Sequence, residues 1–80
     1  MHILICDDDA VFGKKIAGYA QDYFEARGLQ VQAAVCTSGE QALQVPDLEL
    51  YQLAFLDVDM PGLNGIALGR ELKKHTPEIK

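Results

Sequence analysis

The stretch Phe55–Gly65 reads FLDVDMPGLNG, and it decides how the rest of the chain is interpreted. An apolar run ends there on two carboxylates, Asp57 and Asp59, and Pro61 and two glycines follow closely. A short continuous apolar run is typical of a strand buried on both faces, and Pro and Gly mark a sharp turn. The stretch therefore predicts a buried strand whose carboxyl end presents acidic side chains.

Two further apolar runs resemble the one before Asp57, which itself spans Tyr51–Leu56. They are His2–Cys6, which ends on a second acidic run at Asp7–Asp9, and Val31–Cys36. Runs this short and continuous favour strands over helices. The chain therefore has three strand candidates, and the first and the third both end on acids.

Helical spacing of apolar residues follows each strand candidate. Helices are expected over Ala10–Arg27, from Ser38 to before Pro46, and from Gly65 to about His75. Ser38 and Gln41 form a capping-box pattern, and Asn64 can cap the third helix. The faces expected to pack on the sheet carry Phe12, Ile16, Tyr19, Ala20 and Tyr23 in the first helix and Ile66, Leu68, Gly69 and Leu72 in the third. The order βαβαβα predicts an α/β domain with a parallel sheet and right-handed crossovers.

Size and charge limit the functions open to this chain. Its 80 residues suit one small domain, and the net charge of −5 argues against a nucleic-acid surface within it. The start of the chain lacks the pattern of a signal peptide, and no apolar run approaches the ~20 residues of a membrane span. We therefore expect a cytoplasmic protein that contacts neither membranes nor nucleic acid directly through this segment.

The two cysteines and the two histidines show no clear metal-ligand spacing. Cys6 and Cys36 lie inside strand candidates without a CxxC motif, and buried free thiols are favoured over a disulfide or a metal site. His2 and His75 lie at the ends of predicted elements and are expected to be exposed rather than to carry a phosphoryl group. The acids are therefore the strongest candidates for a functional site.

The two acidic runs form one site if the first and third strands are neighbours. Sites in open parallel sheets lie at the carboxyl ends of the strands, beside the switch in strand order. Asp7, Asp8 and Asp57 would then converge, and their mutual repulsion favours a divalent cation such as Mg²⁺. A carboxylate beside Mg²⁺ can also act as a nucleophile toward phosphate. The alternative for these runs is a pair of solvated acidic loops.

The segments ILICDDD and LAFLDVDMPGLNG resemble the receiver domain of two-component response regulators, and the resemblance covers the whole chain in order. It implies a flavodoxin-like fold, with parallel strand order 2-1-3 in the part present. It implies that Asp57 accepts a phosphoryl group from a partner histidine kinase. It also implies that Asp7 and Asp8 hold Mg²⁺ together with Asp57, and that the backbone carbonyl of Asp59 is a further ligand. ICDDD and FLDVDMPGLNGI are also similar to receivers attached to LytTR-type DNA-binding domains.

The same resemblance implies a phosphorylation-controlled switch rather than a turnover enzyme. Phosphorylation would act on an attached output domain outside this chain, which we expect to bind DNA and regulate transcription. The family domain continues with two more strand–helix units, so residues 1–80 are expected to be its N-terminal portion. The third strand would then be an exposed edge, and self-association through that edge is expected.

Two other functions are compatible with parts of the pattern. Phosphatases of the haloacid-dehalogenase type also place Asp-x-Asp after an apolar strand, and Asp57 would then be the nucleophile and Asp59 the general acid. That family has this motif on its first strand, whereas here Asp7–Asp9 comes before it. A pure interaction module, whose acids are only surface charge, predicts no Mg²⁺ binding.

Overall fold

Three parallel strands form the middle layer of the molecule, and a helix follows each of them. The computed structural model describes residues 1–80. The strands are β1 His2–Cys6, β2 Gln32–Cys36 and β3 Tyr51–Leu56, and the helices are α1 Ala10–Glu25, α2 Gly39–Leu43 and α3 Gly65–His75, with a 3₁₀ turn at Leu48–Leu50. The sheet order β2-β1-β3 confirms the predicted α/β fold with parallel order 2-1-3. None of the helices is long and apolar enough to traverse a lipid bilayer.

β1 is the central strand and is buried on both faces, as its composition predicts. The residues from Ile3 to Cys6 are each no more than 1% exposed. Leu4 and Cys6 pack in the layer that contains α2 and α3, and Ile3 and Ile5 pack in the layer that contains α1. β3 lies at the edge of the sheet and is only partly buried. The burial of β1 on both faces and the position of β3 at the sheet edge therefore agree with the predictions.

The face that α1 turns to the sheet agrees only in part with the one predicted. Phe12, Tyr19 and Tyr23 were expected in the core, but they are between 50% and 70% exposed. The helix lies over β1 and β2 rather than β3, so Tyr19 and Tyr23 line an open apolar groove beside Phe55. The buried residues of α1 are small, namely Gly13, Ala17 and Ala20. Of these, Ala20 was predicted on the inner face, as was Ile16, which packs against the same core cluster. Small side chains allow the close approach seen at Gly13, where an added Cβ would lie 3.0 Å from a methyl carbon of Val35.

α3 packs on the opposite side of the sheet through Leu68 and Leu72, as predicted. Ile66 was expected on the same face, but it is 57% exposed. Residues two positions apart lie about 200° apart around a helix, so Ile66 and Leu68 cannot share one face. Met60, Leu48 and Ile79 complete this layer, and none of the three was predicted in the core.

The outer edge of β3 is less open than the sequence suggests. The amide of Lys80 donates to the carbonyl of Gln52 at 3.1 Å, and the amide of Ala54 donates to the carbonyl of Lys80 at 3.0 Å. The hydroxyl of Thr76 donates to the carbonyl of Leu48 at 3.1 Å and anchors the segment that follows α3. The expected exposed edge is thus covered along part of its length, because the chain after α3 returns to the sheet.

Candidate functional site

The backbone pairing of the sheet continues into both acidic runs. The amide of Asp57 donates to the carbonyl of Cys6 at 2.9 Å, and the amide of Asp7 donates to the carbonyl of Cys36 at 3.0 Å. β1 lies between β2 and β3 in register, with Cys6 opposite both Cys36 and Leu56. The acids that follow β1 and β3 therefore emerge side by side at one rim of the sheet.

Three carboxylates meet at this rim. One oxygen each of Asp7, Asp8 and Asp57 can be chosen so that all three lie within 4.8 Å of one another. Asp7 and Asp57 are half-buried, whereas Asp8 is exposed. The structure thus brings together the three side chains that the sequence placed at separate strand ends.

Each of the two half-buried carboxylates is oriented by a backbone amide two residues further along the chain. The amide of Asp9 donates to Oδ1 of Asp7 at 2.9 Å, and the amide of Asp59 donates to Oδ1 of Asp57 at 3.0 Å. Asp9 itself caps α1, because its Oδ1 accepts from the amides of Val11 and Phe12. The third acid of the first run is therefore occupied with the helix and does not join the cluster.

The cluster is electrostatically strained without a counterion. Partial desolvation raises the pKa of Asp8, and the negative charges of Asp57 and Asp7 raise it further. Burial likewise raises the pKa of the neighbouring Cys6 thiol to about 11, with added contributions from Cys36 and Asp7. A carboxylate whose charged form is destabilised by two neighbouring carboxylates is a favourable place for a cation.

The donor set suits a hard divalent cation such as Mg²⁺. Mg²⁺ takes oxygen ligands at about 2.0–2.1 Å in an octahedron, so two of its ligands are roughly 3–4 Å apart. The oxygens of Asp7, Asp8 and Asp57 that lie within 4.8 Å of one another are close to this spacing. Asp8 is exposed, which leaves room for the waters that Mg²⁺ retains.

The loop that follows Asp57 depends on two glycines. Gly62 has φ +75°, a left-handed conformation that favours glycine. Gly65 begins α3 so close to the strand that an added Cβ would lie 2.3 Å from the carbonyl oxygen of Asp57. Asn64 caps α3, as predicted, by accepting from the amide of Ala67 at 3.0 Å. These constraints turn the chain sharply after β3 and keep the Asp57 side chain at the rim.

The cysteines and histidines lie outside the acidic cluster. Cys6 and Cys36 are buried free thiols, and Sγ of Cys6 contacts the Ser38 carbonyl at 3.2 Å and Sδ of Met60 at 3.7 Å. His2 is half-buried against the Tyr51 ring, with centroids 5.3 Å apart, and so is less exposed than expected. His75 is exposed at the end of α3, as predicted.

The arrangement also contains contacts that the sequence did not predict. Glu40 at the start of α2 accepts a hydrogen bond from the amide of Leu63 at 3.1 Å. Gly39 lies so close to Leu63 that an added Cβ would be 2.6 Å from its carbonyl oxygen. The only signal in this part of the sequence was the SGEQ stretch, in which Ser38 and Gln41 predict a helix cap. It did not predict a contact between α2 and the loop.

Comparison with known proteins identifies the family. The family model described as the response regulator receiver domain matches residues 3–80. The chain belongs to this family. The receiver domain is 34% identical over 80 residues to the transcriptional activator protein ExaE of Pseudomonas putida, covering all of this chain and 36% of that protein. It is 32% identical over 78 residues to the response regulator SaeR of Staphylococcus aureus, covering 98% of this chain and 31% of that protein.

Solved structures agree with this assignment. The receiver domain of a Francisella response regulator superposes with a TM-score of 0.60 at 34% identity, over 92% of this chain and 56% of that chain. A chain in the crystal structure of histidine kinase ThkA in complex with response regulator protein TrrA gives a TM-score of 0.65 at 28% identity, over 99% of this chain and 63% of that one. The receiver domain described here spans about a third of the length of the curated relatives named above. The family match leaves the haloacid-dehalogenase alternative without support.

Proposed function

We propose that Asp57 is the phosphoacceptor of this receiver domain and that it takes a phosphoryl group from a histidine kinase. The observation that carries the proposal is the meeting of Asp7, Asp8 and Asp57 within 4.8 Å at the ends of β1 and β3. In this assignment the three carboxylates and the backbone carbonyl of Asp59 hold Mg²⁺. Bound there, the cation neutralises negative charge on the phosphoryl group during transfer.

The two oxygens of Asp57 are proposed to have different roles. Oδ1 accepts the hydrogen bond from the amide of Asp59, so Oδ2 is the oxygen proposed to attack phosphorus. A new P–O bond forms to Asp57 while the P–N bond of the donor phosphohistidine breaks, and the histidine nitrogen keeps the electron pair of that bond. Asp7 and Asp8 take no covalent part in this step and act only as cation ligands.

Phosphorylation is proposed to switch an attached output domain that regulates transcription, rather than to begin a catalytic cycle. ExaE is named as a transcriptional activator and SaeR as a response regulator, and a solved neighbour is a complex with a histidine kinase. Residues 1–80 are proposed to be the N-terminal portion of a cytoplasmic receiver domain that contacts neither nucleic acid nor membrane itself. Attachment to a LytTR-type DNA-binding domain stays a prediction.

The test is chemical labelling with acetyl phosphate followed by mass spectrometry of the intact protein. We expect a phosphoryl adduct that forms only with Mg²⁺, does not form when EDTA is present from the start, and is absent from Asp57→Asn. Asp59→Asn should retain the adduct, because its backbone carbonyl, and not its side chain, is the proposed ligand. Labelling that persists in Asp57→Asn, or that is indifferent to Mg²⁺, would contradict the assignment.

We also propose that the open part of the β3 edge supports self-association. Lys80 pairs with Gln52 and Ala54, but β3 remains the edge strand of the sheet and Phe55 on it is exposed. Exposed strand edges recruit other chains. Sedimentation velocity at increasing concentration should show a growing dimer fraction, and a purely monomeric profile up to tens of micromolar would contradict the proposal.

A further inference from the structure

The loop that follows Asp57 is held at its far end by α2. Oε1 of Glu40 accepts a hydrogen bond from the amide of Leu63 at 3.1 Å, across 23 residues of chain. An added Cβ on Gly62 would lie 3.1 Å from the same carboxylate oxygen. The Glu40 side chain therefore lies directly against the backbone of the loop, although it is exposed to solvent on its other side.

The backbones of α2 and the loop are also in direct contact. An added Cβ on Gly39 would lie 2.6 Å from the carbonyl oxygen of Leu63 and 2.8 Å from its Cβ. Sγ of Cys6 contacts both Ser38, the cap of α2, and Met60 of the loop. These contacts form a continuous connection from β1 through the start of α2 to the loop, and Glu40 supplies its one charged hydrogen bond.

The other end of the loop is held by the Asp57 carboxylate and by the burial of Met60. The amide of Asp59 donates to Asp57 at 3.0 Å, and Met60 is buried, but Pro61 and Gly62 between Met60 and Leu63 are exposed. Gly62 also has a left-handed φ of +75°, in a residue type with wide conformational freedom. The Leu63 amide is the point at which Glu40 fastens the loop that contains Asp59.

We propose that Glu40 is a positioning residue, which holds the loop that contains Asp59, whose backbone carbonyl is the proposed cation ligand. The inference rests on the proposed function, since the Asp59 carbonyl matters there only as a cation ligand. Glu40 acts through the amide of Leu63 and does not itself touch the cation. Its role is thus a hydrogen bond of defined length, not a contribution of negative charge to the site.

Two substitutions separate the hydrogen bond from the charge. Glu40→Gln removes the charge but keeps an acceptor oxygen at the same distance from the backbone. Glu40→Asp keeps the charge, and the favourable placement of an acid in the first turn of a helix, but is one methylene too short to reach Leu63. Glu49→Gln is the matched control for loss of one exposed carboxylate, because Glu49 lies in the 3₁₀ turn away from the loop.

The experiment has two readouts on the same proteins. Hydrogen exchange of the Leu63 amide, followed by NMR without metal, reports whether the loop is held. Calorimetric titration with Mg²⁺ reports the affinity of the site. We expect Glu40→Asp to exchange Leu63 faster and to bind Mg²⁺ about fivefold more weakly, the value of one ordinary hydrogen bond. Glu40→Gln and Glu49→Gln should stay within about twofold of the unsubstituted protein in Mg²⁺ affinity, as expected for loss of an exposed charge.

Several results would overturn the proposal. If Glu40→Gln weakens Mg²⁺ binding as much as Glu40→Asp does, or more, a positioning hydrogen bond is not the cause. If Glu40→Asp leaves both the Leu63 exchange rate and the Mg²⁺ affinity unchanged, the hydrogen bond between Glu40 and Leu63 does not hold the loop in place. If Leu63 exchanges faster in Glu40→Asp with no loss of Mg²⁺ affinity, the loop is held but the site does not need it. If the unsubstituted protein binds no Mg²⁺, the proposed function itself fails and the positioning role fails with it.

Discussion

Replacing Gly65 with alanine would place a methyl group against the backbone of the residue proposed to carry the phosphoryl group. An added Cβ lies 2.3 Å from the carbonyl oxygen of Asp57, 2.8 Å from its carbonyl carbon and 3.0 Å from Cα of Val58. Real Cβ atoms keep at least 3.0 Å, so α3 and the end of β3 must separate by about 0.7 Å. The Asp57 carboxylate is carried on that backbone and moves with it.

We expect two measurable consequences of Gly65→Ala. Overpacking against backbone should lower the free energy of unfolding by about 1–3 kcal/mol, measured by urea denaturation with circular dichroism. Mg²⁺-dependent labelling by acetyl phosphate should fall by about tenfold or more, because displacements near 1 Å can cost up to about a hundredfold in rate.

The matched control is Gly18→Ala in the middle of α1. An added Cβ on Gly18 meets nothing within 4 Å, so alanine there brings only its higher helix propensity. Stability should rise by up to about 1 kcal/mol, and labelling should be unchanged. If Gly65→Ala unfolds at the same urea concentration as the unsubstituted protein and labels at the same rate, the close approach of α3 to Asp57 does not constrain the site. The steric reasoning would then be refuted.

Three further substitutions test other parts of the structure. Asp8→Asn should raise the urea midpoint of the metal-free protein near neutral pH. Desolvation and the charges of Asp57 and Asp7 raise the pKa of Asp8, so ionisation of Asp8 above its unfolded pKa destabilises the folded state. That gain should fade as the pH is lowered through about 4, since Asp8 is then protonated in both states, and urea titrations across this range would reveal it. Asn64→Ala removes the acceptor of the Ala67 amide and should cost about 1 kcal/mol of unfolding free energy in the same urea assay. Leu68→Ala empties a fully buried position and should cost about 2–5 kcal/mol, which calorimetric melting would show as a large fall in Tm.

Local patterns determined most of the architecture. The bounds of β1 and β3 agree with the apolar runs, and Ser38 and Asn64 cap the helices that their positions predict. Strand length, capping and turn chemistry act over a few residues, so a short stretch contains the whole signal. The family resemblance could be recognised in the sequence because its motifs are short local stretches at the ends of β1 and β3.

Packing between distant segments was the part that local patterns could not supply. The sheet-facing side of α1 was predicted only in part. Apolar spacing placed three aromatic residues in the core, whereas the residues buried against the sheet are the small Gly13, Ala17 and Ala20. The return of Lys80 to β3 and the contact of Glu40 with Leu63 likewise had no signal in the spacing of residues. Such contacts depend on where one element lies over another. The spacing of apolar residues shows only which residues share a face of their own helix or strand, and not what that face packs against.

The sequence by itself determined which acids stand at the ends of which strands. Only the tertiary structure decided that Asp7, Asp8 and Asp57 share one rim, because this requires β1 to pair with β3 across some 50 residues. Backbone hydrogen bonds between strands form between groups that nearly all residues share, so they do not select which strand pairs with which. The neighbour of a strand is decided by how the whole chain packs. The acidic site is thus made by sheet pairing, although every side chain in it is visible in the sequence.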